Sequence, residues 1–206
     1  MRKTLVVFSL LLLFASGCGL APGTPSPTAT TTPPIPEEEW GSIISQHPSE
    51  VDNTLLPITP IEDLDLTGRP VEVDIDEYRL VIDGLVERPL SLTYQELLSR
   101  PQISEVVLLI CPGVFWDNAQ WMGTPLGPLL EEVGLQEGAK KVKFHALDGY
   151  QRSLSLEEAL ADGVFLAYQV NGETLPLEHG FPLRLVARHQ FGGTWVKWLE
   201  RIEVTE

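Results

Sequence analysis

Val106-Val107-Leu108-Leu109-Ile110-Cys111-Pro112-Gly113-Val114-Phe115-Trp116-Asp117-Asn118-Ala119-Gln120-Trp121 is the stretch on which the reading of the fold turns. Its first five residues are an apolar run too short for a stable helix, and Pro112-Gly113 ends it at once. A buried strand is therefore expected, with Cys111 at its end. A thiol placed where a core strand opens into a loop is held by the fold and still faces a cleft, as a metal thiolate or a nucleophile must. Free cysteine also packs commonly as a small buried hydrophobe, and the local sequence leaves both readings open.

Working outward, the 206 residues suffice for one domain of ordinary size with some chain left over. Apolar content of 43% and charged content of 21% exclude wholesale disorder. The net charge of −15 excludes nucleic acid as a partner, because phosphates require clustered lysine and arginine. An acidic surface fits solubility or a basic protein partner.

The only other cysteine belongs to the N-terminus. Arg2 and Lys3 precede an apolar stretch from Leu5 to Phe14, and Ala15-Ser16-Gly17-Cys18 follows. This reads as an export signal over residues 1–17, with small residues before the cut. The ending resembles a bacterial lipobox, in which the cysteine becomes the acylated first residue. Lipidation of Cys18 would leave Cys111 without a disulfide partner. Residues 18–60 are rich in proline and threonine and poor in apolar groups near their start, so they are expected to form a flexible tether. Residues 61–206 are expected to form the folded domain.

Within that domain Tyr78 to Ile82 alternates like a strand, and Thr93 with Glu96 has the spacing of a capping box opening a short helix. Thr124-Pro125 is expected to cap a helix whose apolar stripe is Leu126, Leu129, Leu130 and Val133, closed by Gly134. Val142 to Ala146 reads as a strand, Ser155 with Glu158 as a second capping box, and Val164 to Val170 as a strand. Asn171-Gly172 is the strongest hairpin signal, and further strands are expected over Phe181 to Val186 and Trp195 to Val204. Strands outnumber helices without regular alternation, which indicates an α+β fold in a single domain. The motifs GxGxxG, Walker A, HExxH, CxxC and GxSxG do not occur, and His47, His145, His179 and His189 have no metal-ligand spacing.

Six segments taken together resemble the molybdopterin-binding domain of the sulfite oxidase family, including bacterial periplasmic methionine sulfoxide reductase catalytic subunits. They are Tyr78 to Val86; Cys111 with Trp121-Met122-Gly123-Thr124-Pro125-Leu126; Phe144 to Leu156 with Asp148-Gly149-Tyr150; Leu166 to Gly172; His179-Gly180-Phe181-Pro182-Leu183-Arg184; and Val196-Lys197-Trp198. The resemblance implies a mixed-sheet fold with short helices and a molybdenum held by one pterin and one protein cysteine, whose place Cys111 takes. It places Trp121 and Tyr150 at the substrate pocket, and Ser153, His179, Arg184, Gly192 and Lys197 where the pterin and its phosphate are held. A soft thiolate suits such a metal, and a phosphate needs converging cationic and backbone donors.

The sequence departs from that family where it has Phe115 and Trp116 in place of an arginine after the ligand cysteine, and Thr194 in place of a second cation. An aromatic pocket is expected instead. The immunoglobulin-like second domain, a haem-attachment motif and a twin-arginine signal are expected to be absent. The expected function is two-electron oxygen-atom transfer by a membrane-tethered molybdenum oxidoreductase, with a sulfoxide-type substrate favoured over sulfite. A separate electron-transfer protein, such as a membrane or c-type cytochrome, is the expected partner, and the outer face of the cytoplasmic membrane or the periplasm the expected location. The alternative is a metal-free lipoprotein that keeps the fold as a ligand-binding or interaction module.

Overall fold

The structure is a computed structural model that describes residues 35–206. The export signal and Cys18 lie outside the described residues. Among the described residues, ten strands and four short helices build one mixed and one wholly antiparallel five-stranded sheet around one main core.

The first sheet starts with β1 (Arg79–Gly84), which pairs antiparallel with β2 (Leu90–Thr93). Thr93 then caps α2, the second of the helices (Tyr94–Leu98). Its hydroxyl accepts the Glu96 amide while the Glu96 carboxylate accepts the Thr93 amide at 2.8 Å, so two orphan donors of the first turn are satisfied. The chain returns to this sheet as β5 (Lys141–Ala146), β6 (Gln151–Ser155) and finally β10 (Leu199–Thr205), in the order β2-β1-β10-β5-β6. Strands β1 and β10 run parallel, the other pairs antiparallel. Ser155 and Glu158 form the second capping box, opening α4 (Leu156–Ala159).

The second sheet holds the quoted stretch. Strand β3 (Ile103–Cys111) is longer than the apolar run and buries Val107 to Ile110, and β4 (Phe115–Pro125) returns antiparallel to it through Pro112-Gly113-Val114. Next come β7 (Val164–Val170), β8 (Glu173–Thr174) and β9 (Arg184–Ala187), with β8 and β9 both on β7. Asn171 and Gly172 sit at φ +49° and +83°, the two left-handed positions that a tight β7–β8 hairpin needs.

Four boundaries differ from expectation. Strand β4 was not legible as a strand at all, because Trp116-Asp117-Asn118 mixes polar and apolar groups on two buried faces. Helix α3 (Leu126–Val133) begins one residue late, since Thr124 still pairs in β4 and its buried hydroxyl donates to the Leu97 carbonyl instead of capping. Strand β9 starts at Arg184, and strand β10 at Leu199. The intervening residues Trp195 to Trp198 leave the ladder because Lys197 and Trp198 direct their side-chain donors to the carbonyls of neighbouring loops.

Residues 35–60, expected as part of the tether, fold back onto the exposed flank of β3. Helix α1 (Trp40–Ile43) and short 3-10 turns bring Ile43 and Leu56 against Leu108 and Ile110, flanked by Trp40, Trp116 and Phe191. Polar groups lock the wrap. The fully buried amide of Asn118 donates to the carbonyls of Asn53, Leu56 and Pro57. The apolar partners of this segment are too distant in sequence for its periodicity to announce them.

Candidate cofactor and active site

Side chains alternate across β4, and that alternation builds the floor of the site. Asp117 and Trp121 share the face toward the main core, whereas Trp116 and Asn118 face the N-terminal wrap. Cys111, partly exposed at the end of β3, opens into a cavity of about 230 Å³. Its walls include Thr67, Asp148, Tyr150, Gly192, Trp195, Lys197 and Trp198.

Gly192 leaves no room for a side chain without a shift of its neighbours. A Cβ there would lie 2.9 Å from the Leu109 side chain and 3.2 Å from the Cys111 sulfur, so the missing atom is what lets the backbone approach the thiol. Across the cavity, the Tyr150 hydroxyl donates to the Gly193 carbonyl at 2.7 Å, and the Arg152 guanidinium lies 4.4 Å from the Tyr150 ring. Tyr150 also takes the end of the Asp148 turn, its amide donating to the Asp148 carboxylate at 2.8 Å.

Two buried cations act on the thiol, Lys197 on the cavity wall and Arg184 off it. Arg184 donates to the His179 carbonyl and lies over the rings of Trp121 at 4.9 Å and Trp195 at 5.6 Å, but its buried Nε has no partner. Burial lowers it to about 10, against the pull of Asp117 and Cys111. Lys197 donates from Nζ to the carbonyls of Thr67 and Glu178, each at 2.9 Å. Burial, and then Arg184, lower it to about 7. Burial likewise pushes the Cys111 thiol up, opposed by Arg184, and pushes Asp117 up to about 6. His179 is lowered to about 4 by burial, so it is neutral at physiological pH.

Cys111, Tyr150, Gly192 and Lys197 thus meet at one cavity; Arg184 and His179 do not line it, and Arg184 joins through its pull on the Cys111 thiol and its hydrogen bond to the His179 carbonyl. Two expected residues do not join them. Trp121 is only 1% exposed and supports Arg184 from below instead of lining the pocket; its position on the inward face of β4 decides this. Ser153 is exposed on β6 opposite Lys143, outside the cavity wall. The cavity is aromatic, but through Tyr150, Trp195 and Trp198. Trp116 instead packs edge-to-face on Trp40, 5.7 Å away. Asp117, Thr67 and Trp195 were not read as site residues. Asp117 carried a signal, a lone acid between tryptophans in a buried stretch, while Thr67 joins only through a long-range loop contact.

A molybdenum-pterin group fits these residues. A single unpaired thiol faces the cavity, a glycine opens the backbone beside it, and a buried guanidinium with an orphaned N–H stands next to a second cation. Soft sulfur suits the metal, and converging cationic donors suit a phosphate.

The family model described as the oxidoreductase molybdopterin binding domain matches residues 67–206. Sulfite oxidase of Arabidopsis thaliana is 33% identical over 172 residues, covering 66% of this chain and 44% of that protein. A putative protein-methionine-sulfoxide reductase subunit of Azospira oryzae is 33% identical over 134 residues, covering 65% of this chain and 51% of the relative. The chain therefore spans about half the length of these curated relatives. Among solved structures, the sulfane dehydrogenase SoxCD from Paracoccus pantotrophus superposes with a TM-score of 0.62 at 26% identity, over 89% of this chain and 55% of that one. With a mixed-sheet fold, a cavity-facing cysteine and this match over its last two thirds, the chain belongs to the sulfite-oxidase-type oxidoreductase molybdopterin-binding domain family.

Proposed function

We propose that this protein is a molybdenum-pterin oxidoreductase that transfers an oxygen atom to or from a small sulfoxide-type substrate, anchored to the membrane through lipid on Cys18. The observation that carries the reading is the Cys111 thiol opening beside Gly192 onto a cavity backed by Arg184 and Lys197. The bound cofactor would supply two-electron oxygen-atom chemistry.

The chain's own residues do the rest. Cys111 would give the metal its protein sulfur, and because burial favours the protonated thiol, ligation would release a proton. Arg184 and Lys197 would hold the anionic end of the cofactor, Arg184 being fixed in place by the indole faces of Trp121 and Trp195. Tyr150, Trp195 and Trp198 exclude water and offer faces that suit an apolar-bodied ligand. The Tyr150 hydroxyl, tied to Gly193, keeps the ring at the mouth of the cavity. Support for the sulfoxide class comes from these aromatic walls and from the methionine-sulfoxide reductase relative. Electrons pass to or from a separate redox protein, which the acidic net charge of −15 fits if that partner is basic. The small residues before Cys18 support export and acylation.

The deciding experiment is molybdenum and pterin stoichiometry on protein purified from its own membrane, followed by sulfoxide reduction with a reduced dye as donor. One molybdenum and one pterin per chain with sulfoxide turnover supports the proposal. Metal-free protein overturns it.

A further inference from the structure

Asp117 is a buried carboxylate that the metal and cofactor roles above do not use. It is 4% exposed, and none of the ion pairs among the described residues includes it. A carboxylate in that setting is costly unless hydrogen-bonded. Its oxygens accept the backbone N–H of Asp65, at 3.2 and 3.4 Å. That contact joins strand β4, which follows the ligand cysteine, to a loop whose side chains are exposed and whose next residues, Thr67 and Gly68, wall the cavity. The Thr67 carbonyl accepts Lys197 Nζ at 2.9 Å, and the Glu178 carbonyl accepts it at 2.9 Å from the other side. An ammonium carries three N–H donors. Two are spoken for by these carbonyls, and Lys197 lines the cavity, so the third is left for a ligand there.

We propose that Asp117 is a positioning residue for Lys197: by holding the Asp65 amide it fixes the Thr67 carbonyl, which together with the Glu178 carbonyl aims the remaining Lys197 donor at an anionic group in the cavity. The cofactor reading supplies only the identity of that anion. The geometry of the relay stands without it. Asn118, the next residue on the strand, pins the carbonyls of residues 53, 56 and 57 on the opposite face, so two adjacent polar residues fasten the N-terminal segment at both ends of its approach to the site.

The test uses the full chain without added cofactor, and three variants. Asp117→Ala removes the acceptor. Asp117→Asn keeps one oxygen for the Asp65 amide. Asp65→Pro removes the donor from an exposed loop while leaving Asp117 in place, and Leu64 at φ −63° and ψ 130° already has the conformation a following proline requires. Hydrogen exchange at Asp65 in the alanine variant is expected to rise about tenfold, the loss of one hydrogen bond. Acetylation of the Lys197 amine is expected to rise severalfold in both the alanine and the proline variants, and to return toward the parent rate in the asparagine variant. Exchange across β7 and β10 stays at parent rates in all three. Should Asp117→Ala fail to fold, Asp65→Pro alone decides. Parent-like Lys197 acetylation in Asp65→Pro, or exchange that rises uniformly through both sheets, overturns the relay and leaves Asp117 a plain structural acid. Neither readout depends on molybdenum, so a metal-free protein would sink the proposed function without touching this inference.

Discussion

Serine in place of Cys111 differs from cysteine by little volume and much chemistry, since a hard hydroxyl replaces a soft thiolate. Cys111→Ser is expected to keep the thermal midpoint within a few degrees and to lose metal-dependent turnover; molybdenum X-ray absorption on the variant should show one sulfur scatterer fewer. Lys197 makes a second prediction, about pH. Its folded value near 7 lies below its ordinary 10.5, so between those values the folded chain holds fewer protons than the unfolded one, and the ligand-free protein gains stability as pH rises through that window. An anion in the cavity favours the ammonium, so binding above pH 7 must take up a proton. Sulfate, which does not titrate there, is expected to bind up to about tenfold more weakly per pH unit above 7. Isothermal titration in buffers of differing ionisation enthalpy reads the proton directly, and pH-independent sulfate affinity would remove Lys197 from the anion site. Legibility differed residue by residue. Cys111 was readable because an apolar run and a Pro-Gly turn fix it at a strand end. Trp121, which the resemblance puts at the substrate pocket, lies under Arg184 off the cavity wall; its face depends on the register of β4, which the mixed composition of that strand conceals.

Elements declared by local chemistry were legible, and those declared by distant partners were not. The capping boxes at Thr93 and Ser155 and the Asn171-Gly172 hairpin each need only neighbours within a few residues, and the structure has all three. The wrap formed by residues 35–60 needs β3, far along the chain, and was read as a tether. Its packing predicts a stability cost. Ile43 is 1% exposed against Leu108 and Ile110, so Ile43→Ala is expected to lose about 2–5 kcal/mol in urea unfolding. Asn118→Ala leaves the buried Leu56 carbonyl and the part-buried Pro57 carbonyl without their donor and is expected to lose about 1–3 kcal/mol. A true tether would make Ile43→Ala silent, and an unchanged urea midpoint would show that.

At the scale of the whole molecule, charge and pocket chemistry decide between substrates. The chain has 14 basic and 29 acidic residues, and removal of residues 1–17 with Arg2 and Lys3 leaves 12 against 29, or −17. Long-range steering therefore works against an anion approaching the cavity. Inside, among the described residues, Lys197 is the one cationic side chain on the wall, its ammonium disfavoured by burial, and Asp148 shares that wall. Phe115 packs against the core, Trp116 is turned onto the N-terminal wrap, and Thr194 carries no charge, so none of them supplies a cation to the cavity. A dianion loses several kcal/mol of hydration on burial, and charge-assisted hydrogen bonds of about 1.5–3 kcal/mol each are what offset it. Two such donors fewer correspond to roughly two to four powers of ten in relative affinity. A methyl sulfoxide would make no such demand: its apolar body would pack on Tyr150, Trp195 and Trp198 and its neutral oxygen would need a single donor. The expected outcome is that kcat/KM for sulfoxide reduction with a reduced dye exceeds that for sulfite oxidation with an artificial acceptor by at least about a hundredfold. The comparison is best run at low and at high salt, because screening weakens the repulsion by surface charge and leaves the dry pocket largely unaffected. A sulfite preference at both salt concentrations would mean that Arg152, over the Tyr150 ring, or Arg69, beside Gly68, turns inward to hold the dianion.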